Sequence, residues 1–140
     1  MNVDLIVQKV LRGQAVPTGA FLSPRVDGSL PELDKRLPYD PAKARALLAE
    51  AGYPDGFGLT LHATNNRYLN DAQVAQTTAQ LLTRIGIQTK VETLPVAAYF
   101  SRARQGEFSF MMLGWGSVAA DVALRSILGT PNPQTGYGSW

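Results

Sequence analysis

Apolar and polar residues follow two different periods along the chain, and each period predicts one kind of element. Residues 59–64 read Leu-Thr-Leu-His-Ala-Thr, the alternation of a strand with unlike faces. Residues 87–94 alternate in the same way. The segment Phe108–Leu113 is almost continuously apolar, which predicts a third strand covered on both faces.

Helical periodicity separates these strands. Apolar residues fall on one stripe of a 3.6-residue period over residues 74–85, which predicts a helix that Gly86 closes. The pair Asp40-Pro41 combines a capping carboxylate with a first-turn proline, so a helix is predicted from there to Gly52. Shorter helices are predicted near the start of the chain (closed by Gly13), after Pro95 and over Val118–Leu128.

The order strand, helix, strand, helix, strand, helix predicts an α/β layer architecture. Its sheet is expected to be parallel or mostly parallel, with right-handed crossovers. Residues 14–39 are rich in proline and glycine and are predicted to form a long irregular connection. Such a connection is either functional or a crossing between substructures.

Composition removes several classes of function. The 140 residues include no cysteine and a single histidine. A disulfide scaffold, a thiol nucleophile, an iron–sulfur cluster and any site with two imidazoles are therefore excluded. The apolar fraction of 45% and the net charge of +2 indicate a folded chain long enough for one domain.

Neither the charge pattern nor the length of the apolar runs favours nucleic-acid binding or a membrane-spanning helix. The pI is about 9.1, but basic and acidic residues are interspersed and form no stripe suited to phosphates. No apolar run approaches the roughly 20 residues of a membrane helix. The first residues lack the order of an export signal, and the turn-rich end at Trp140 is typical of a piece of a longer protein.

Two loops follow predicted strands, where ligands bind in open α/β sheets. The second, Gly114-Trp115-Gly116-Ser117, matches G-x-G-x-x-A between a predicted strand and a helix. A nucleotide-binding enzyme domain is therefore the alternative hypothesis. The acidic residue that a dinucleotide-binding site requires about 20 positions later is absent, which argues against this alternative. A hydrolase is not supported either, because the sequence contains no G-x-S-x-G motif.

Residues around this second loop suit ligand recognition. Trp115, beside Gly116, offers either a flat contact surface or a buried lid. Asp121 is expected in the first turn of a helix, where it meets either a ligand ammonium or its own helix dipole. Arg125, one turn later, pairs with Asp121 or grips a ligand carboxylate.

The first loop offers fewer candidates. Arg67 and Tyr68 lie just past a strand end and are predicted to contact a ligand or a neighbouring lobe. Asn70 and Asp71 are predicted to cap the following helix. His62 is interpreted as a solvated or hydrogen-bonded histidine rather than a general base.

Several segments together resemble one family. Residues 39–57 read YDPAKARALLAEAGYPDGF, preceded by VLRGQA at 10–15. NNRY at 65–68, AQLLTRIGI at 79–87, GEF at 106–108 and GWG at 114–116 follow in order. This series resembles the extracellular solute-binding proteins of family 5, the peptide-, nickel- and glutathione-type receptors of ABC importers. ADVALR at 120–125 is most similar to the glutathione and peptide branch.

The resemblance implies a fold and an organisation. The fold is a lobe of the type II periplasmic-binding-protein class, with a mostly parallel or mixed sheet and helices on both faces. Residues 1–140 form a single domain, a fragment of the distal lobe of a two-lobed receptor that closes by hinge motion.

The resemblance also implies a function. The protein is not an enzyme; it binds a peptide-like small solute between its lobes at the periplasmic or extracellular face of the cell membrane and delivers it to ABC permease subunits. No metal, cofactor or nucleic acid is expected. In peptide-binding relatives an aspartate after the Gly-Trp motif meets the ligand ammonium, and Asp121 is its nearest counterpart. The expected ligand-binding residues are Trp115, Gly116, Asp121, Arg67, Arg125 and Tyr68.

Overall fold

The computed structural model describes residues 1–132 and Gln134. The chain forms two compact units. The first contains Met1–Pro17 and Pro38–Leu113, and the second contains Thr18–Leu37 and the chain from Gly114 onward. The chain end at Trp140, on which the fragment interpretation rests, lies outside the described residues.

The first unit carries most of the regular structure. Its helices are α1 (Val3–Leu5), which continues as a π-helical stretch (Ile6–Val10), α2 (Pro41–Glu50), α3 (Asp71–Thr83) and α4 (Val96–Arg104). Its strands are β1 (Phe57–Thr64) and β2 (Ile87–Leu94). The second unit contains a short 3-10 helix (Pro31–Leu33) and α5 (Ala120–Ile127).

Local sequence signals placed the helix ends well. The Asp40 side chain caps α2 by accepting a hydrogen bond from the Lys43 amide at 2.8 Å, with Pro41 in the first turn. The Asn2 side chain caps α1 in the same way through the Leu5 amide at 3.0 Å. The predicted starts of both helices are confirmed.

The sheet is parallel, as predicted. β1 and β2 pair over their whole length, from Phe57 opposite Ile87 to Thr64 opposite Leu94. Their carboxyl ends therefore lie side by side at one edge of the sheet. Parallel strands require a crossover, and α3 provides it.

The predicted third strand is reduced to a single bridge. Met111 pairs in parallel with His62, through backbone hydrogen bonds from the His62 amide to Phe110 O and from the Met112 amide to His62 O. The chain bends at Ser109 and Phe110, so the ladder does not extend further along β1. The apolar run marked a segment that packs on the sheet, but apolarity alone does not determine strand pairing.

Helices cover both faces of the sheet, which confirms the α/β layer prediction. On one face, Leu61 and Ala63 pack with Ala75 of α3. On the other, Glu92 of β2 binds Arg102 of α4. Successive residues of a strand point to opposite faces, so α3 and α4 lie on opposite sides.

The buried face of α3 differs from the predicted stripe. Of the predicted stripe, Leu81 is buried but Val74 and Thr78 are only half-buried, whereas Ala75 and Ala79, which lie outside that stripe, are buried. Alanine brings the helix close to the strands because its side chain is small. A stripe chosen by large apolar residues is therefore rotated from the true contact face.

A buried carboxylate joins the end of β1 to the start of α3. Asp71 is 4% exposed and accepts hydrogen bonds from four donors. These are the hydroxyl of Thr64 at 2.7 Å and the amides of Arg67, Tyr68 and Ala72 at 3.0, 3.2 and 2.9 Å. Burial alone would raise the pKa of Asp71, but these donors outweigh it and hold the pKa below its usual value.

The second unit is organised around the start of α5. Asp27 forms a parallel bridge with Ala119, and the Ala120 amide donates to Asp27 O at 2.8 Å. Elsewhere in this unit the Asp34 carboxylate accepts from the Thr18 hydroxyl and the Gly19 amide, both at 2.7 Å. Hydrogen bonds to backbone and side chains thus order a segment that has little regular structure.

No helix within residues 1–132 combines the length and apolar character that crossing a bilayer requires.

Replacement of Asp71 tests the carboxylate junction. Asp71→Ala is expected to lower the free energy of unfolding by about 1–3 kcal/mol at pH 7, because buried donors lose their acceptor. The contribution is present above the unfolded carboxyl pKa of about 3.9 and is lost as pH falls through the lower folded pKa. Urea unfolding of both proteins should therefore converge below about pH 4. Asp55→Ala, in an exposed turn, is the control, and a gap that persists in acid would contradict this role.

A matched glycine pair tests the contact between the starts of the two strands. Gly56 and Gly52 both have positive φ, +74° and +88°. A Cβ at Gly56 would collide with the Gly86 backbone, whereas one at Gly52 would meet open space. Both substitutions place alanine at a positive φ, so this cost is common to the two variants. Because the Cβ collides only at position 56, Gly56→Ala is expected to destabilise the protein by about 1–3 kcal/mol more than Gly52→Ala. Equal melting temperatures for the two variants would refute this.

Candidate functional site

The loop after β1 is fixed at the carboxyl edge of the sheet. Asp71 accepts two of its amides, and the Asn65 amide donates to Leu94 O at 3.1 Å at the end of β2. The Asn66 side chain accepts from the Val96 amide at 2.9 Å and thereby caps α4. The loop is thus tied to β2, α3 and α4.

This loop presents an oriented guanidinium group. Arg67 donates through Nε to the Tyr68 hydroxyl at 3.0 Å. Its guanidinium carbon lies 5.3 Å from the centre of the Tyr68 ring and 4.8 Å from that of Phe100 in α4. Within the described residues, its terminal nitrogens make no hydrogen bond. Arg67 is exposed, so these donors face solvent.

A second feature of the first unit is the connecting segment, Glu107–Leu113, which leads from α4 towards the Gly-Trp-Gly loop. Arg102 donates to Glu107 at 2.6 Å and to Glu92 at 2.5 Å. The hydrogen bonds that Arg102 donates to Glu107 and Glu92 raise the pKa of Arg102, and the hydrogen bond that Glu92 accepts from Arg102 lowers the pKa of Glu92. The fully buried Tyr99 donates to Met112 O at 2.7 Å, and burial raises the pKa of its hydroxyl to about 12.

His62 holds the connecting segment against β1. His62 as a whole residue is 9% exposed. Its ring stacks on the Phe108 ring, and the two ring centroids are 4.1 Å apart. Nδ1 lies 3.4 Å from Phe110 O, and Nε2 lies 3.3 Å from Glu92 Oε2. The prediction of a hydrogen-bonded histidine agrees with this geometry, although the ring is buried rather than solvated.

The remaining predicted ligand residues belong to the second unit. Trp115 is 49% exposed, so of its two interpretations the buried lid is wrong. At Gly116 the backbone lies outside the left-handed region and a Cβ would meet open space, so the fold does not require glycine there. The Ser117 hydroxyl donates to Ala119 O at 2.7 Å and fixes the entry into α5.

Asp121 and Arg125 are exposed on α5. The predicted i, i+4 pair is not formed: within the described residues, neither side chain takes part in an ion pair. Both charges therefore remain available to other partners. Of the six predicted ligand residues, Arg67 and Tyr68 lie in the first unit, and Trp115, Gly116, Asp121 and Arg125 lie in the second.

The sequence did not single out Asp71, His62 or Phe100 as organising residues. Asp71 was predicted to be a helix cap, but it also orders the Arg67–Tyr68 loop. Phe100 lies under Arg67 and helps to orient its guanidinium. The one sequence signal for Asp71 was its place as a carboxylate directly before a predicted helix, and helix capping was enough to explain that signal.

The G-x-G-x-x-A motif lacks the preceding strand that a nucleotide-binding site requires. Residues 112–117, which contain the first part of G-x-G-x-x-A, form no strand, so no strand leads into the glycines. The described residues also contain no group of three or more acidic or histidine side chains arranged to hold a metal ion.

Comparison with known proteins gives one consistent family. Residues 1–131 match the model of "bacterial extracellular solute-binding proteins, family 5 Middle". The chain is 33% identical over 147 residues to the glutathione-binding protein GsiB of Salmonella choleraesuis, covering 99% of the chain and 28% of that relative. For GsiB of Escherichia coli K12 the identity is 33% over 139 residues, covering 94% and 27%.

Solved structures agree with these relatives. The chain superposes on HbpA2 of Haemophilus parasuis with a TM-score of 0.79 at 28% identity, covering 99% of the chain and 28% of that protein. On the periplasmic binding protein DppA of Helicobacter pylori, in complex with the peptide STSA, the TM-score is 0.74 at 31% identity, covering 87% and 23%.

The chain spans about a quarter of the length of these relatives, from 23% to 28%. The predicted type II periplasmic-binding-protein architecture is confirmed by the structural neighbours. With its family match extending over residues 1–131, the chain belongs to the bacterial extracellular solute-binding proteins of family 5.

Proposed function

We propose that this chain is part of the substrate-binding component of an ABC importer. In the longer protein it contributes to a cleft between two lobes that binds a peptide-like small solute and delivers it to the membrane permease. The match to family 5 over residues 1–131 is the observation that carries this proposal. GsiB is named as a glutathione-binding protein and DppA is solved in complex with a peptide, which supports a peptide-like ligand.

The proposed protein acts at the periplasmic or extracellular face of the membrane and catalyses no reaction. Its partners are the solute and the permease subunits. We assign ligand contact to six residues: Arg67 and Tyr68 in the first unit, and Trp115, Gly116, Asp121 and Arg125 in the second.

Each assigned group suits one part of a peptide. The half-exposed indole of Trp115 offers a flat apolar surface for a side chain or peptide plane. The exposed carboxylate of Asp121 suits an ammonium group. Arg125 and Arg67 suit carboxylates, and Arg67 is the better oriented because Tyr68 and Phe100 hold its guanidinium.

Titration of the full-length protein tests the function. We expect calorimetry to detect binding of at least one of glutathione, Met-Leu and the peptide STSA, and none of NAD or ATP. Trp115→Ala should weaken that binding by about 30-fold, the effect of losing a central aromatic contact. The control is Tyr53→Ala, which removes an aromatic side chain that is equally exposed, at 50%, on another surface. Binding unaffected by Trp115→Ala and Asp121→Ala together would refute the assignment of these residues.

A second experiment tests Arg67 with a matched ligand pair. Arg67→Gln should weaken binding of a peptide with a free carboxyl terminus by about 10-fold or more, because a charge-assisted hydrogen bond is lost. The same variant should change binding of the amidated peptide much less. Tyr68→Phe, which removes the hydroxyl that accepts from Arg67 Nε, should give an intermediate loss. Equal losses for both peptides would show that Arg67 does not recognise the carboxylate.

A further inference from the structure

A polar cleft of about 570 Å³ lies in the first unit, between two stretches of chain. One wall comes from the π-helical stretch (Ile6–Val10) and the loop that follows it, and the other from the start of α3. None of the six residues assigned to the peptide-like ligand lines this cleft. Small-molecule sites typically measure about 300–1,000 Å³, so the cleft has room for an organic molecule rather than for a single ion.

The side chains that line the cleft favour a negatively charged occupant. Lys9 and Arg12 are exposed on the first wall, and within the described residues neither takes part in an ion pair. The second wall presents the side-chain amides of Asn70 and Gln73 and the hydroxyl of Thr77. No aspartate or glutamate is among the described lining residues, so no carboxylate on the walls neutralises the two cations.

The backbone of both walls adopts conformations that cost free energy. Within the described part of the chain, the non-glycine residues with left-handed φ are Arg12 at +52° and Asn70 at +51°. Both line the cleft. Asparagine tolerates this region, whereas arginine pays more for it, and glycine is favoured at such a position just past a helix end. Strained residues and π-helical turns both concentrate at functional sites, so their convergence here points to a binding role.

Hydrogen bonds fix the two walls to each other. The Asn70 side chain donates through Nδ2 to Val10 O at 2.8 Å, across the cleft from α3 to the π-helical stretch. The Gly13 amide donates to Val7 O at 2.9 Å and holds the turn that contains Arg12. Val7 itself is buried. The backbone that carries the cations is therefore ordered before a ligand arrives, which lowers the entropic cost of binding.

We propose that this cleft is a second ligand site, which takes a small organic oxyanion with two or more negative charges. The planar guanidinium of Arg12 grips one carboxylate or phosphate group, and Lys9 supplies a second positive charge. The side-chain amide of Gln73 donates to the remaining oxygens. A binding role explains why an arginine occupies a backbone position that favours glycine. The inference goes beyond the proposed receptor function and does not depend on it.

Calorimetric titration of the full-length protein with citrate and with pyrophosphate tests this site. At low ionic strength we expect at least one of the two anions to bind, and binding should weaken as salt screens the exposed charges. Citrate carries only carboxylates and pyrophosphate only phosphates, so the tighter of the two identifies the preferred group. Arg12→Gly should weaken that binding by about 10-fold or more, because a charge-assisted hydrogen bond is lost.

Stability measurements separate loss of the site from loss of the fold. The melting temperature of Arg12→Gly should equal or exceed that of the native protein, because glycine adopts the left-handed region without strain. The affinity of this variant for whichever peptide probe the native protein binds should be unchanged. The site and the proposed receptor function can therefore fail independently of each other.

Arg104→Gln is the matched control, since it removes an exposed cation of the first unit that does not line the cleft. It should leave binding of both anions unchanged, which distinguishes a site from general attraction to a positively charged protein. Native protein that binds neither anion, or equal losses for Arg12→Gly and Arg104→Gln, would overturn the inference. A loss for Arg67→Gln but not for Arg12→Gly would also overturn it, because the anion would then occupy the proposed peptide site.

Discussion

The buried carboxylate of Asp71 is the interaction on which the candidate site of the first unit depends. It gathers the Thr64 hydroxyl at the end of β1, two amides of the following loop and the Ala72 amide in the first turn of α3. A loop of polar residues has little apolar surface to hold it, so its conformation is set by these hydrogen bonds. The orientation of Arg67 follows, because its backbone amide is one of the four donors and its side chain then reaches Tyr68 and Phe100.

The two faces of the small sheet make different kinds of contact. The face of Leu61 and Ala63 is apolar and packs against the alanines of α3, which supplies burial. The face of His62 is polar and aromatic, and it holds the connecting segment through directional contacts. Directional contacts define a position more narrowly than apolar packing does. The strand β1 therefore packs through apolar side chains on one face and holds the connecting segment through directional contacts on the other.

The proposed receptor function is consistent with the chemistry that the chain offers. The groups assigned to the ligand are an indole, two guanidinium groups, a phenol and a carboxylate, which suit binding. His62, the one imidazole in the sequence, faces a carbonyl and a carboxylate inside the fold. The assigned residues are divided between two units, and the chain covers about a quarter of its relatives' length.

The sequence by itself determined the elements, the parallel sheet and the family, because periodicity, caps and closing glycines act over a few residues and the ordered motifs extend along the chain. Tertiary structure decided what depends on distant partners. Phe108–Leu113 was apolar enough for a strand, yet it pairs only at Met111 because the chain bends before it. Asp71 was predicted to be a cap and His62 a solvated or hydrogen-bonded histidine, but their partners, up to 48 residues away in the sequence, appear only in the fold. Local pattern specifies which element a residue joins, while the neighbours that the fold brings to it specify what its polar atoms do.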